Sequence, residues 1–183
     1  MSGNDHPFDP KLAQALVQEW QTSSNPGSAR FSSSELVRRI AGEAIANPAE
    51  SDYLLLGLTP YQFIRRKRYV RFFRSTRVYV WKRMLQTRLP QQTESILDGV
   101  DGLLVAAGGA VANSGRQTRL DILLYDMITD NFAEEGFLSV AHQVVQRILG
   151  DIEKKPNNLI FSVALADHLD RQYQQLLNQG VLK

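Results

Sequence analysis

Apolar residues recur three and four positions apart along most of this chain, which is the spacing of one face of an α-helix. The pattern is clearest in three segments, Thr118 to Asn131, Glu134 to Glu153 and Asn157 to Asn178. The residues predicted to face the core are Leu120, Leu123, Leu124, Met127 and Ile128 in the first segment, Phe137, Leu138, Ala141, Val144, Val145, Ile148 and Leu149 in the second, and Ile160, Val163, Ala164, Leu169, Tyr173, Leu176 and Leu177 in the third. Short connections predict that these helices are antiparallel neighbours.

Helix start and stop signals divide the region before these segments. Ser32-Ser33-Ser34-Glu35 has the pattern of a capping box, which predicts a helix through about Ala46 that Asn47-Pro48 ends. A short helix is predicted from Ser51 to Leu56, with Gly57 after it. Thr59-Pro60 then predicts the start of a long helix that runs to about Leu89. A further helix is predicted from Ser95 to Asn113, with Asn113-Ser114-Gly115 as its exit.

The N-terminal region has a separate character. Asp9-Pro10 predicts a helix through about Gln21, and residues 22–31 have the composition of a loop. We therefore divide the chain into an N-terminal helical arm and flexible loop, residues 1–31, and a helical bundle domain, residues 32–183. The predicted fold is an all-α, single-domain bundle of about six or seven helices with a peripheral N-terminal helix.

The long predicted helix, residues 60–89, has no single apolar stripe. Two interpretations fit this scatter: two helices that meet near Ser75-Thr76, or one helix that is buried on two sides. The run Arg77 to Trp81 also has the composition of a strand, although its context favours a helix.

Charge is distributed very unevenly along the chain. Between Tyr53 and Thr93 lie 41 residues that include ten Lys or Arg and no acidic residue, whereas all 19 Asp and Glu lie elsewhere. Aromatic residues alternate with these cations. The net charge of +2 therefore conceals a strongly dipolar chain.

Cations with interleaved aromatic residues are typical of a surface that binds a polyanion, because cations neutralise phosphates and aromatic rings stack on bases. The predicted binding residues are Gln62, Arg65, Arg66, Lys67, Arg71 and Arg74. The function predicted first is a non-enzymatic regulatory or adaptor protein that binds a polyanion, with nucleic acid the preferred ligand.

The same residues permit an alternative interpretation, in which the aromatic rings form core and the cations pair with acids. An acidic block, made of Asp121, Asp126, Asp130, Glu134 and Glu135, offers those acids within the same molecule or in a second copy. The alternative function is therefore a protein–protein interaction or assembly module, with an acidic partner or a homo-oligomer.

A helix-turn-helix is a further hypothesis. Residues 51–56 would form its first helix, Gly57-Leu58-Thr59 its turn, and residues 60–68 its recognition helix, with Gln62, Arg65 and Arg66 facing base edges. The bulky Tyr53 and the charged Arg66 depart from the usual pattern of that motif.

Other chemistry is weakly represented. The absence of cysteine excludes disulfides and thiolate catalysis. The segment Gly102 to Gly115 lacks the spacing of a phosphate-binding loop, and Asp167-His168-Leu169-Asp170 has poor geometry for shared metal ligation on a helix. No catalytic residue, metal or cofactor is predicted, and a helical enzyme or lipid carrier with an internal cavity is the least favoured interpretation.

The predicted location is cytoplasmic, without membrane association. The first residues lack the basic and apolar regions of a signal peptide. The longest uncharged run of apolar and small residues, Gly102 to Ala112, has about half the ~20 residues that a membrane-spanning helix needs.

Overall fold

The computed structural model of the chain describes residues 31–150 and 157–179. Within these ranges the structure is all-α and contains no strand, so the predicted all-α, single-domain fold is confirmed. The helices are α1 (Ser33–Ile45), α2 (Glu50–Leu55), α3 (Phe63–Arg88), α4 (Thr93–Ala107), α5 (Gly109–Asn131), α6 (Phe137–Leu149) and α7 (Asn157–Asn178), with a 3-10 turn at Ala133–Glu135. The predicted N-terminal helix lies outside the described residues.

Helix α1 begins at the predicted capping box. The backbone N–H of Glu35 donates to the Ser32 hydroxyl at 3.3 Å, and the backbone N–H of Ser32 donates to the Glu35 carboxylate at 2.6 Å. After α2, Gly57 has a φ of +62°, and a Cβ there would lie only 2.8 Å from Cζ of Phe161 on α7. Glycine at this position therefore allows both the turn and the close approach of α7.

The predicted start of the long helix at Thr59-Pro60 is wrong. The Thr59 carbonyl instead accepts the N–H of Gln62 at 3.0 Å in a turn, and α3 begins at Phe63. From there it runs unbroken for 26 residues, which excludes two helices that meet near Ser75-Thr76. The hydroxyl of Thr76 donates to its own helix at the Phe73 carbonyl, 3.0 Å away, so this buried polar group is satisfied without a break.

Helix α3 is the central element of the bundle, with α1, α5 and α7 packed around it. Its buried side chains are Tyr69, Phe72, Phe73, Val78, Tyr79, Val80, Trp81, Met84 and Leu85, together with the polar Ser75, Thr76 and Lys82. The interpretation of a helix buried on more than one side is thus confirmed. Because neighbours cover several faces, a single apolar stripe cannot form.

The predicted helix over residues 95–113 is interrupted at Gly108. Helix α4 ends at Ala107, Gly108 and Gly109 have φ values of +69° and +51°, and α5 starts at once. The predicted exit at residues 113–115 is therefore wrong, since these residues lie inside α5. Gly115 instead allows close packing, because a Cβ there would lie 3.1 Å from Cβ of Leu104 on α4.

Helix α5 turns a different face towards the core from the one that the sequence predicted. Leu120, Leu123 and Met127 are 61%, 53% and 64% exposed, whereas Asp121 and Tyr125 point into the bundle. Partners on α3 explain this rotation. Asp121 accepts hydrogen bonds from Arg71 and Ser75, Tyr125 packs edge-on against Tyr79, and the Tyr79 hydroxyl bonds that of Thr129 at 2.7 Å.

The last two helices confirm the predicted pattern in part. The core-facing residues expected on α6 are buried from Ala141 onward, but this helix starts at Phe137 after a 3-10 turn, not at Glu134. On α7, Leu169 is buried as expected, whereas Ile160 and Val163 are 66% and 45% exposed. No helix in the described part of the chain combines the length and apolar character needed to cross a lipid bilayer.

Candidate polyanion-binding surface

Several cations of the basic segment bind groups within the bundle. The ion pairs are Arg66 with Glu50, Arg71 with Asp121, Arg77 with Glu43 and Lys82 with Asp126. Arg74 and Arg88 donate to backbone carbonyls of other elements. The pairs of Asp121 and Asp126 with α3 show that part of the acidic block offsets the basic segment in the same molecule.

Arg71 makes a two-pronged contact with Asp121. Its Nε lies 2.9 Å from one carboxylate oxygen and its Nη2 lies 2.5 Å from the other, while Ser75 donates to the same carboxylate at 2.9 Å. The Asp121 side chain is 5% exposed and the Arg71 side chain 44%. The hydrogen bond to Asp121 raises the pKa of Arg71. Arg71 therefore compensates the negative charge of the buried Asp121 carboxylate.

Arg74 closes the C-terminal end of α1. Its Nε donates to the Ala46 carbonyl at 2.8 Å and its Nη2 donates to Oδ1 of Asn47 at 2.9 Å. A third contact, from Nη1 to the Ser114 hydroxyl at 3.3 Å, connects α5. Burial lowers the pKa of Arg74. Arg74 is therefore a cation at a helix C-terminus. Such a cation donates hydrogen bonds to terminal carbonyls and interacts favourably with the negative end of the helix dipole.

Arg66 connects the start of α3 to α2 through two contacts. It pairs with Glu50, and its guanidinium carbon lies 3.8 Å above the ring centre of Tyr53. Only 17% of its side chain is exposed. The departures noted for a helix-turn-helix, Tyr53 and Arg66, thus pack on each other.

The helix-turn-helix geometry itself is absent from these residues. The connection between α2 and α3 spans residues 56–62 in place of a three-residue turn, and the second helix begins at Phe63 and continues far beyond Arg68. The motif predicted at residues 51–68 is therefore wrong.

A different subset of the segment remains available at the start of α3. Lys67 and Arg68 are exposed and Arg65 is half-buried, and none of the three makes an ion pair or hydrogen bond with another described residue. Tyr61 and Phe63 beside them are 92% and 71% exposed. We call this surface the α3 tip; it consists of Tyr61, Phe63, Ile64, Arg65, Lys67 and Arg68.

Helical spacing brings apolar and cationic side chains of the α3 tip together. Lys67 follows Phe63 by four residues and Arg68 follows Ile64 by four, so each cation lies on the same face as a large apolar side chain. Ile64 is 60% exposed. An apolar residue exposed to this extent beside a cation offers both apolar contact area and charge to a ligand.

The six predicted binding residues thus divide into two groups. The structure places Gln62, Arg65 and Lys67 at or beside the α3 tip, and gives Arg66, Arg71 and Arg74 contacts inside the bundle. Oε1 of Gln62 is buried and has no hydrogen-bond partner among the described residues. The residues Ile64 and Arg68 were not predicted as part of the site; the acid-free segment from Tyr53 to Thr93 indicates their region of the chain but not these individual residues.

The described residues also form a broad acidic cleft of about 650 Å³ between α3, α5, α6 and α7. Carboxylates of Asp130, Glu134, Glu135, Asp167 and Asp170 line it, together with Arg83 and Tyr173. No group of three or more His, Asp or Glu side chains in the described ranges has a metal-binding arrangement. A mainly apolar cavity between α4 and α5 measures only about 60 Å³, too small for a lipid.

A smaller polar cavity of about 190 Å³ lies between α1, α3 and α7, where Arg39 and Arg77 flank Glu43. The Arg39 guanidinium carbon lies 4.8 Å and 5.5 Å from the ring centres of Phe31 and Trp81. Burial lowers the pKa of Arg39. Because Arg39 contacts these aromatic rings and Arg77 pairs with Glu43, both cations have a structural role in the fold.

The chain was compared with protein-family models, with curated proteins and with solved structures, and it matches none of them. The function is therefore argued from the geometry of these surfaces.

Proposed function

We propose that this protein is a non-enzymatic binding protein that contacts a polyanion, single-stranded nucleic acid first, through the α3 tip. The observation that supports this proposal most directly is the presence of two exposed aromatic rings, Tyr61 and Phe63, within a few residues of cations that have no partner among the described residues. A cytoplasmic location belongs to the same proposal.

The α3 tip offers the two interactions that single-stranded nucleic acid uses. Arg65, Lys67 and Arg68 neutralise phosphates, and release of counterions from the ligand drives that contact. Tyr61 and Phe63 provide stacking platforms for bases, which need no sequence-specific hydrogen bonds. The ligand expected is a flexible single strand, because the faces of its bases are accessible to the rings, whereas the bases of a duplex are stacked on one another.

Arg71 and Arg74 have a supporting role in this proposal. Their guanidinium groups hold Asp121 and the end of α1, and these contacts fix the helix from which the α3 tip projects. Arg71, which is partly exposed, can add a weaker phosphate contact at the edge of the surface.

The proposal is tested by fluorescence anisotropy with a labelled single-stranded oligonucleotide at several salt concentrations. Three phosphate contacts predict a slope of about −2 for log affinity against log salt, since each contact to a single strand contributes about −0.7. The absence of binding at low salt would overturn the proposal.

Stacking is separated from charge by a comparison of two ligands. The double variant Tyr61→Ala with Phe63→Ala should lower affinity for the oligonucleotide at least about fivefold, because one stacked base contributes about 1–3 kcal/mol. Its affinity for heparin, a polyanion without bases, should stay unchanged. Equal losses for both ligands would show that the rings do not stack on bases.

A further inference from the structure

An apolar stripe on α5 faces outward. Its three large side chains, Leu120, Leu123 and Met127, are each more than half exposed and occupy successive turns of one helix face. The same three residues form the regular apolar pattern that predicted a core-facing helix. The bundle uses the other face of α5, so an amphipathic face of core quality is left without a partner among the described residues.

Opposite charges close the two ends of this stripe. Arg116 lies one turn before Leu120, and Asp130 lies about one turn after Met127. On a helix all five residues fall within a sector about 80° wide, and the two charges are about 21 Å apart along the axis. Both charged residues are exposed, and neither makes an ion pair within residues 31–150 and 157–179.

We propose that α5 is a self-association surface, on which a second copy of this chain packs its own α5 in the antiparallel direction. A positive end and a negative end on one face are complementary to the same face after a two-fold rotation. Arg116 of each copy then meets Asp130 of the other, on both sides of the contact. A parallel arrangement would place like charges together at both ends and is disfavoured.

The positions of the charges also determine the register. Leu123 lies midway between positions 116 and 130, so the two-fold axis passes beside Leu123 of both copies. Met127 of one copy then packs near Leu120 of the other, as apolar layers do in an antiparallel coiled coil. A contact along one helix face is small for a stable dimer, so the expected affinity is in the micromolar range.

Sedimentation equilibrium of the full chain over a concentration series tests the association. The wild type should approach twice the chain mass, and Leu123→Glu should remain a monomer. At a concentration low enough for both proteins to be monomeric, their melting temperatures should be equal. The matched control is Leu159→Glu on α7, since Leu159 is 47% exposed and lies outside the stripe. This control should dimerise like the wild type.

A charge exchange identifies the partner as a second copy. Arg116→Glu and Asp130→Arg should each weaken the dimer about tenfold, because each creates two like-charge contacts. The double variant should restore dimerisation, since it reverses both ends of the same seam. Failure of the double variant to restore it would contradict an antiparallel self-pairing.

Two other results would also overturn the proposal. One is a wild type that stays monomeric at about 100 μM, well above the expected dissociation constant. The other is a monomeric wild type in which Leu123→Glu lowers the melting temperature, because the stripe would then be covered by another segment of the same chain.

Discussion

Arginine side chains on α3 connect neighbouring helices, because one guanidinium can donate to several acceptors in fixed directions. Arg71 binds both oxygens of Asp121 on α5, and Arg74 donates to the Ala46 carbonyl and to the Asn47 side chain, just after the end of α1. Lysine has the same charge but lacks the planar fork. The excess of arginine in this segment therefore has a structural explanation apart from any ligand.

The contact between Arg71 and Asp121 should respond unequally to loss of either partner. Arg71→Met leaves the carboxylate of Asp121 buried with reduced compensation, and should lower the free energy of unfolding by about 3–5 kcal/mol. Asp121→Asn keeps a hydrogen-bond acceptor and leaves Arg71 partly solvated, so about 1–2 kcal/mol is expected. Urea unfolding of both variants measures the difference, and equal losses would contradict the assigned burial.

Two buried tyrosines form a second matched pair. Burial raises the pKa of Tyr125, whose hydroxyl has no hydrogen-bond partner among the described residues, whereas the Tyr79 hydroxyl bonds Thr129 at 2.7 Å. Tyr125→Phe should therefore leave thermal stability unchanged or raise it, because a lone buried hydroxyl costs about 1–3 kcal/mol. Tyr79→Phe should cost about 1 kcal/mol. Calorimetry that finds Tyr125→Phe the more damaging change would refute this description of the two hydroxyls.

At the scale of the helices, local signals predicted some elements well. The Ser32–Glu35 capping box and the buried face of α6 follow from interactions within a few residues or from a strong apolar period. The start of α3 was not predicted, because Thr59-Pro60 has the composition of a cap but closes a turn before the helix. Local composition does not distinguish these two uses of the same residues.

The orientation of α5 shows why periodicity alone is insufficient. Both faces of this helix have a reason to be buried, one through Leu120, Leu123 and Met127 and the other through Asp121 and Tyr125. The second face is inside because its polar groups find partners on α3, about 50 positions earlier in the chain. Such long-range pairing cannot be read from a helical period, and it left the apolar stripe on the surface.

Two glycines in neighbouring helices should respond oppositely to alanine. A Cβ at Gly102 in α4 would have no atom within 4 Å, whereas a Cβ at Gly115 in α5 would lie 2.9 Å from Cδ1 and 3.1 Å from Cβ of Leu104. Gly102→Ala should stabilise the protein by about 0.5–1 kcal/mol through helix propensity. Gly115→Ala should destabilise it by about 1–3 kcal/mol through overpacking. Thermal unfolding of both variants decides; stabilisation by both would show that α4 and α5 are not in close contact.

At the scale of the whole molecule, the strong charge separation along the sequence is partly neutralised in the fold. Asp121, Asp126 and Glu43 each pair with a cation of α3, although they lie 34 to 50 positions away from it in the chain. The sequence alone is compatible with internal pairing and with ligand binding for the whole segment. The structure separates the cations that pair internally from those without a partner among the described residues, because position along α3 decides which cations reach a carboxylate.

The candidate site was therefore predictable in its location but not in its membership. The absence of acids indicated the segment that contains the α3 tip, and Gln62, Arg65 and Lys67 lie at or near it. The residues Arg66, Arg71 and Arg74 could be separated from them only by their contacts in three dimensions. The exposure of Ile64 was equally invisible in the sequence, since apolar residues in a helical segment are normally counted as core.

The α3 tip as a polyanion-binding surface is the central claim, and one comparison tests it most directly. Arg68 and Arg83 are both exposed cations of α3 without an ion pair in the described structure, but only Arg68 belongs to the α3 tip. The measurement is the affinity of Arg68→Glu and of Arg83→Glu for the same single-stranded oligonucleotide at low salt. We predict a loss of about tenfold for Arg68→Glu and an unchanged affinity for Arg83→Glu, because only the first variant removes a phosphate contact. Equal losses in the two variants, or none in either, would contradict the claim.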